Sequence, residues 1–136
     1  MLTKTFMLAG RASFIIRNPK GESVTVKINR AKDKYDHTGK PYPASFYVNV
    51  RHQNDPWAYV GFINPDQCVI TPTRKSALRP DATPVKVAQW GINLIAKGAN
   101  APTGYAVEHT GRCGKCAKML RDPESIRLGL GPVCRG

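Results

Sequence analysis

Acidic side chains are scarce in this chain. Its 136 residues include 9 Asp and Glu against 21 Lys and Arg, a formal net charge of +12 at pH 7. Such a surplus says little about fold, but it points to a polyanion or an acidic protein surface as partner. Long apolar runs are also missing. No stretch approaches the roughly 20 apolar residues of a membrane helix. The opening M-L-T-K-T-F-M-L-A-G-R meets Arg11 before the apolar core of a secretion signal accumulates. A reducing, cytoplasmic setting is therefore expected, and there four cysteines are more often metal ligands than disulfides. No repeat or low-complexity tract is present, and 41% of residues are hydrophobic, as in an ordinary folded chain. Nucleophile motifs, phosphate-cradling glycine loops and paired carboxylates are absent as well. His37 beside Asp36 reads as a loop residue and His52 near Asp55 as a strand end, so no enzyme is expected.

What the chain does contain is, first, a set of alternating segments. Thr5 to Leu8, Ala12 to Arg17, Ser23 to Asn29, Ser45 to Arg51, Ala58 to Ile63 and Cys68 to Thr71 are rich in valine, isoleucine, phenylalanine, tyrosine and threonine. Turn signals N-P-K-G, T-G-K-P-Y-P, N-D-P and N-P-D separate them. Val24, Val26 and Ile28 face one way and Thr25, Lys27 and Asn29 the other, which predicts an antiparallel meander with one face buried and one wet. The period then changes. Val85, Ala88, Ile92 and Ile95 recur at helical spacing between Pro84 and Gly98, with Trp90 widening the stripe as a core residue. Cys68, in an apolar run, reads as a buried thiol in a strand. The expected fold class is α+β: an antiparallel sheet backed by one main helix over residues 1–104, then a small zinc-binding module over residues 105–136.

That module is the most legible part. His109, Cys113, Cys116 and Cys134 follow H-x3-C-x2-C-x17-C. Two cysteines separated by two residues form a tight knuckle that offers both sulfurs to one ion. The imidazole and the third thiolate close a tetrahedral shell with no position left for water, as in a structural Zn2+ site. Between them, R-D-P-E-S-I-R-L-G reads as a short helix with Asp122 as N-cap, Pro123 at its first position and Gly129 as its stop. Ser125 is explained by that helix start. Burial alone could not support so small a unit, and metal binding is expected to stabilise it.

The string from His109 to Cys134, with its D-P-E-S-I turn and its G-L-G-P-V-C ending, closely resembles a family of short zinc-finger modules of unknown function. Such modules are common at the C-termini of small phage and prophage proteins and are appended to some helicase-like proteins. The resemblance implies the same four ligands and a phage setting, hence the host cytoplasm. It also puts Ala117 where the family usually has glycine, which implies a slightly strained turn after the knuckle. It supplies no biochemical activity.

Partners must be read from charge. Lys27, Arg30, Lys32, Lys34 and Lys40 form one basic cluster, and Arg112, Lys115, Lys118, Arg121 and Arg127 a second across the metal module. Lys and Arg so grouped neutralise phosphates and release counterions. Tyr35, Tyr42, Tyr47, Trp57 and Tyr59 lie among or near them, and exposed aromatics stack on unpaired bases, which favours single-stranded or structured nucleic acid over duplex reading. The alternative is an inhibitor that docks its basic face on a host or antiviral-defence protein, of an anti-CRISPR or anti-restriction type.

Overall fold

The computed structural model describes residues 1–135. Its frame is a five-stranded antiparallel sheet. The strands are β1 (Arg11–Arg17), β2 (Ser23–Arg30), β3 (Phe46–His52), β4 (Ala58–Ile63) and β5 (Ala106–His109), in the spatial order β4-β3-β2-β1-β5. A short helix, α1 (Lys4–Met7), precedes β1, and the long α2 (Thr83–Lys97) lies between β4 and β5. Two short helices, α3 (Pro123–Leu128) and α4 (Pro132–Arg135), finish the chain. The architecture is the α+β arrangement that the alternating and helical periods predict. No helix among the described residues is long and apolar enough to cross a membrane.

Alternation decides which face is covered. Val24, Val26 and Ile28 of β2 and Phe46, Val48 and Val50 of β3 are buried with Val85, Ala88, Ile92 and Ile95 of α2. Each of these valine, isoleucine and phenylalanine side chains contributes about 1.5–3 kcal/mol by leaving water, and Ala88 less. The helix reaches β1 because Gly91 has no side chain: a Cβ there would stand 2.4 Å from Cδ1 of Ile16. Gly98 ends α2 in the left-handed region at φ 66°, its N–H donating to the Ile95 carbonyl. Trp90 is half-buried on the flank of this core, its ring centroid 5.4 Å from that of Tyr105.

Two segments expected as strands differ. Thr5 to Leu8 falls in α1, where the Thr3 hydroxyl caps the helix by accepting from the Phe6 N–H at 3.1 Å. Neighbouring Phe6 and Met7 are both fully buried, which a strand packed on one face could not achieve. Cys68 to Thr71 is not a named strand either. Cys68 is buried as expected but sits in a turn at φ 53°, and Gln89 of α2 takes over the local backbone, accepting from the Ile70 N–H at 2.7 Å and donating to the Cys68 carbonyl at 2.9 Å. Thr71 alone pairs with Phe62, so this segment covers the open edge of β4. The other sheet edge is β5, which brings the chain directly from the sheet into the cysteine-rich segment.

Candidate metal centre

The knuckle begins three residues beyond Thr110. Arg112 pairs with Met119, and the Cys113 N–H donates to the Lys118 carbonyl at 2.8 Å, which closes the loop around the C-x2-C pair. Ala117 completes the reversal at φ 64°, so the strained turn expected where the side chain is not glycine is present. Cys134 arrives on α4. The Sγ atoms of Cys113, Cys116 and Cys134 all lie within 4.8 Å of one another, with Cys113 buried and the other two half-buried.

The protein surroundings favour a thiolate at Cys113. Burial raises its pKa, but N–H groups of Gly131, Cys116 and Lys115 outweigh that effect and lower it to about 7. Two of these donors, Gly131 and Lys115, stand 3.4 Å from the sulfur. Cys134 behaves oppositely: hydrogen bonding with the Cys113 and Cys116 sulfurs, reinforced by desolvation, pushes it up to about 11. Three sulfurs so close cannot all carry charge without a cation among them. A soft or borderline metal ion fits this donor set, since it replaces the protons and screens the thiolates from one another.

His109, expected as the fourth ligand, lies outside this trio. Its Nδ1 accepts from the Gly111 N–H at 2.9 Å, and its Nε2 faces the carbonyl of Ile126. With Nδ1 an acceptor, the proton belongs on Nε2, and the ring joins the end of β5 to α3 through the backbone alone. The structure thus brings three of the four expected ligands together and commits the imidazole elsewhere.

Two features behind the cysteines hold them in place. Phe6 is the first: its ring packs against Gly114 and Gly129, and the Gly114 carbonyl accepts from the Arg11 N–H at 2.7 Å, which docks the knuckle on α1 and β1. Ser125 is the second. The Asp122 carboxylate caps α3, accepting from the Ser125 N–H at 3.0 Å and the Ser125 hydroxyl at 2.6 Å. That same hydroxyl accepts from Arg135 at 2.6 Å, while Arg135 also donates to the Leu130 carbonyl at 3.2 Å. Ser125 is fully buried, and the residue it ties down is the neighbour of Cys134. Sequence reasoning assigned Ser125 only to the helix start. Its long-range partner lies ten residues away across a turn, which no local pattern reveals.

The ten expected nucleic-acid contacts fall into three places. Lys27 stands on the uncovered face of the sheet, its Nζ 4.2 Å from the centre of the Trp57 ring. Arg30 pairs with Asp33 at 3.0 Å, and Lys32, Lys34 and Lys40 are exposed on the loop between β2 and β3. On the metal module, Lys115, Lys118 and Arg121 are exposed, Arg112 donates to the Ala117 carbonyl at 3.2 Å, and Arg127 pairs with Glu124 at 2.5 Å.

Residues 106–136 match a family of unknown function, DUF6011. The match covers β5 and the cysteine-rich segment and leaves out β1 to β4 and both earlier helices. No curated protein and no solved structure matches the chain.

Proposed function

We propose that this protein is a small, basic, zinc-containing nucleic-acid-binding protein that acts without catalysis, in the cytoplasm of a phage-infected host. The ion is Zn2+, because thiolate-rich sites built on a C-x2-C knuckle suit it best. Cys113, Cys116 and Cys134 hold it, and its role is to fix the module's fold.

The observation that carries the reading is how little of the positive charge is spent internally. Ion pairs join Arg17 to Glu108, Arg30 to Asp33, Arg79 to Asp81, Arg127 to Glu124 and Arg135 to Asp122. No lysine takes part in an ion pair among the described residues. Those ammonium groups stay free to meet phosphates, and each contact made that way would steepen the fall of affinity with salt.

The test is fluorescence anisotropy of the metal-loaded protein with labelled DNA and RNA oligonucleotides across a salt series. Submicromolar binding that weakens steeply with salt supports the reading. Absence of binding at low salt overturns it and turns the search to an acidic protein partner. Elemental analysis giving one zinc per chain tests the metal assignment separately.

A further inference from the structure

The sheet has one face packed on α2 and one face with no helix on it, and the second face is chemically distinctive. Backbone register places its residues in rows across the strands. Tyr59, Asn49, Lys27 and Ser13 form one row, Phe62, Tyr47, Asn29 and Arg11 the next, and Arg51, Thr25, Ile15 and Glu108 a third. A bulge between Val48 and Asn49 lets β4 keep Tyr59 opposite Asn49 on this face while Val60 and Ile63 stay in the core.

Aromatic rings gather there. Tyr47 and Tyr59 meet edge to face with centroids 6.0 Å apart, and Trp57 lies beneath Lys27 with the Arg51 guanidinium 5.9 Å from its ring centre. Tyr47 keeps 40% and Trp57 36% of its surface in solvent, against essentially none for Phe14 and Phe46 on the packed side. Charge on the face is one-sided. Among the described strand residues on this face, Arg11, Arg17, Lys27 and Arg51 stand against the carboxylate of Glu108, which pairs with Arg17 at 3.7 Å.

We propose that this uncovered face is the binding platform for a single-stranded polynucleotide, an inference that rests on the nucleic-acid reading above and gives it a surface and a strand state. Unpaired bases stack on Tyr47, Tyr59 and Trp57, and the phosphates between them meet Lys27, Arg51, Arg11 and Arg17. Residues two apart on a strand stand roughly 7 Å from each other, a spacing that suits successive bases splayed from an extended backbone. A duplex is the poorer occupant, because its bases are already stacked on one another and offer no free face to the rings. Stacking and phosphate pairing ignore the 2′-hydroxyl, so the occupant is defined by being unpaired rather than by its sugar.

The experiment compares a labelled twelve-nucleotide thymidine strand with a duplex of the same length, using the metal-loaded full chain. Tyr47→Thr keeps a strand-forming side chain and removes one ring. It is expected to weaken single-strand binding about tenfold while leaving the weaker duplex binding and the salt slope unchanged. In a Trp90→Phe background Trp57 is the remaining tryptophan, and its fluorescence is expected to be quenched as the strand binds, a readout that mere loss of stability would not give. If Tyr47→Thr binds like the parent while a Lys115→Gln, Lys118→Gln, Arg121→Gln variant loses affinity, the platform is wrong and the nucleic-acid reading survives on the metal module. Duplex binding as tight as single-strand binding also overturns the platform. If the parent protein binds neither oligonucleotide at low salt, both proposals fall together.

Discussion

A methyl group on Gly114 would stand 2.7 Å from Cδ1 of Phe6 and 2.9 Å from the Phe6 carbonyl oxygen. The knuckle therefore rests directly on α1, backbone against ring, and Phe6 meets Gly129 from the same side. Gly114→Ala is expected to cost about 1–3 kcal/mol through this overpacking, since the backbone oxygen cannot move aside as a side-chain end would. Gly39→Ala, at φ 84° with nothing near its Cβ, is the comparison: it carries only backbone strain of about 1 kcal/mol. Denaturant titration of both variants measures the difference.

Removing single ligands separates the thiols from the imidazole. Cys134→Ser is expected to abolish stoichiometric metal binding, because it breaks the sulfur trio. His109→Gln is expected to keep one metal ion per chain while lowering the melting temperature, because His109 joins β5 to α3 through Gly111 and Ile126. Elemental analysis alongside thermal melts checks both. Loss of metal from His109→Gln would mean that the ring turns to the ion when metal is bound.

Chelation should act on the module and spare the sheet. Zinc binding is worth on the order of 10 kcal/mol to such small units, and this one has a small core of its own in Cys113, Leu120 and Leu130, beside its contacts with Phe6 and Arg11. Hydrogen exchange after stripping the metal is expected to accelerate at Cys113, Gly114 and Leu120, while amides of Val26, Ile28 and Val48 keep their protection. Uniform loss of protection would refute this division.

Ser125→Ala tests the tie between α3 and α4. It takes a buried hydroxyl from Asp122 and Arg135 at once, which weakens the cap of α3 and its tie to α4 together, so the melting temperature is expected to fall. Metal affinity is expected to fall as well, since Arg135 adjoins Cys134. Competition with a chromogenic chelator reads that change directly.

Acid should reveal the same network. The Ser125 hydroxyl, the Ser125 amide and the charge of Arg135 hold the Asp122 carboxyl below the usual carboxylate range. A folded pKa below the unfolded value gives stability that is complete above the unfolded pKa of about 3.9 and is lost as pH falls through the folded value. The stability gap between the parent and Asp122→Asn is therefore expected to be largest at neutral pH and to shrink below about pH 4. A gap that stays constant to pH 2 would show that the charge of Asp122 plays no part.

Strand alternation in β1 to β4, the helical stripe of α2 and the C-x2-C knuckle were all readable from the chain, because each is a local pattern set by backbone geometry. Alternation fixed the faces, proline and glycine fixed the ends of α2, and the cysteine pattern picked out the three sulfurs that the fold brings together. The sequence reading of Thr5 to Leu8 failed because four residues carry too little periodicity to outweigh a capping threonine. Cys68 to Thr71 failed because a distant glutamine took its hydrogen bonds. His109 has the right residue type at the right spacing, yet which way its ring turns depends on the carbonyl of Ile126, seventeen residues on. Tyr47, Trp57, Tyr59, Lys27 and Arg51 were visible singly as aromatics and cations. Only the pairing register, with its bulge at Val48 and Asn49, gathers them on one face, because register depends on how strands meet across space and not on any one strand's own residues.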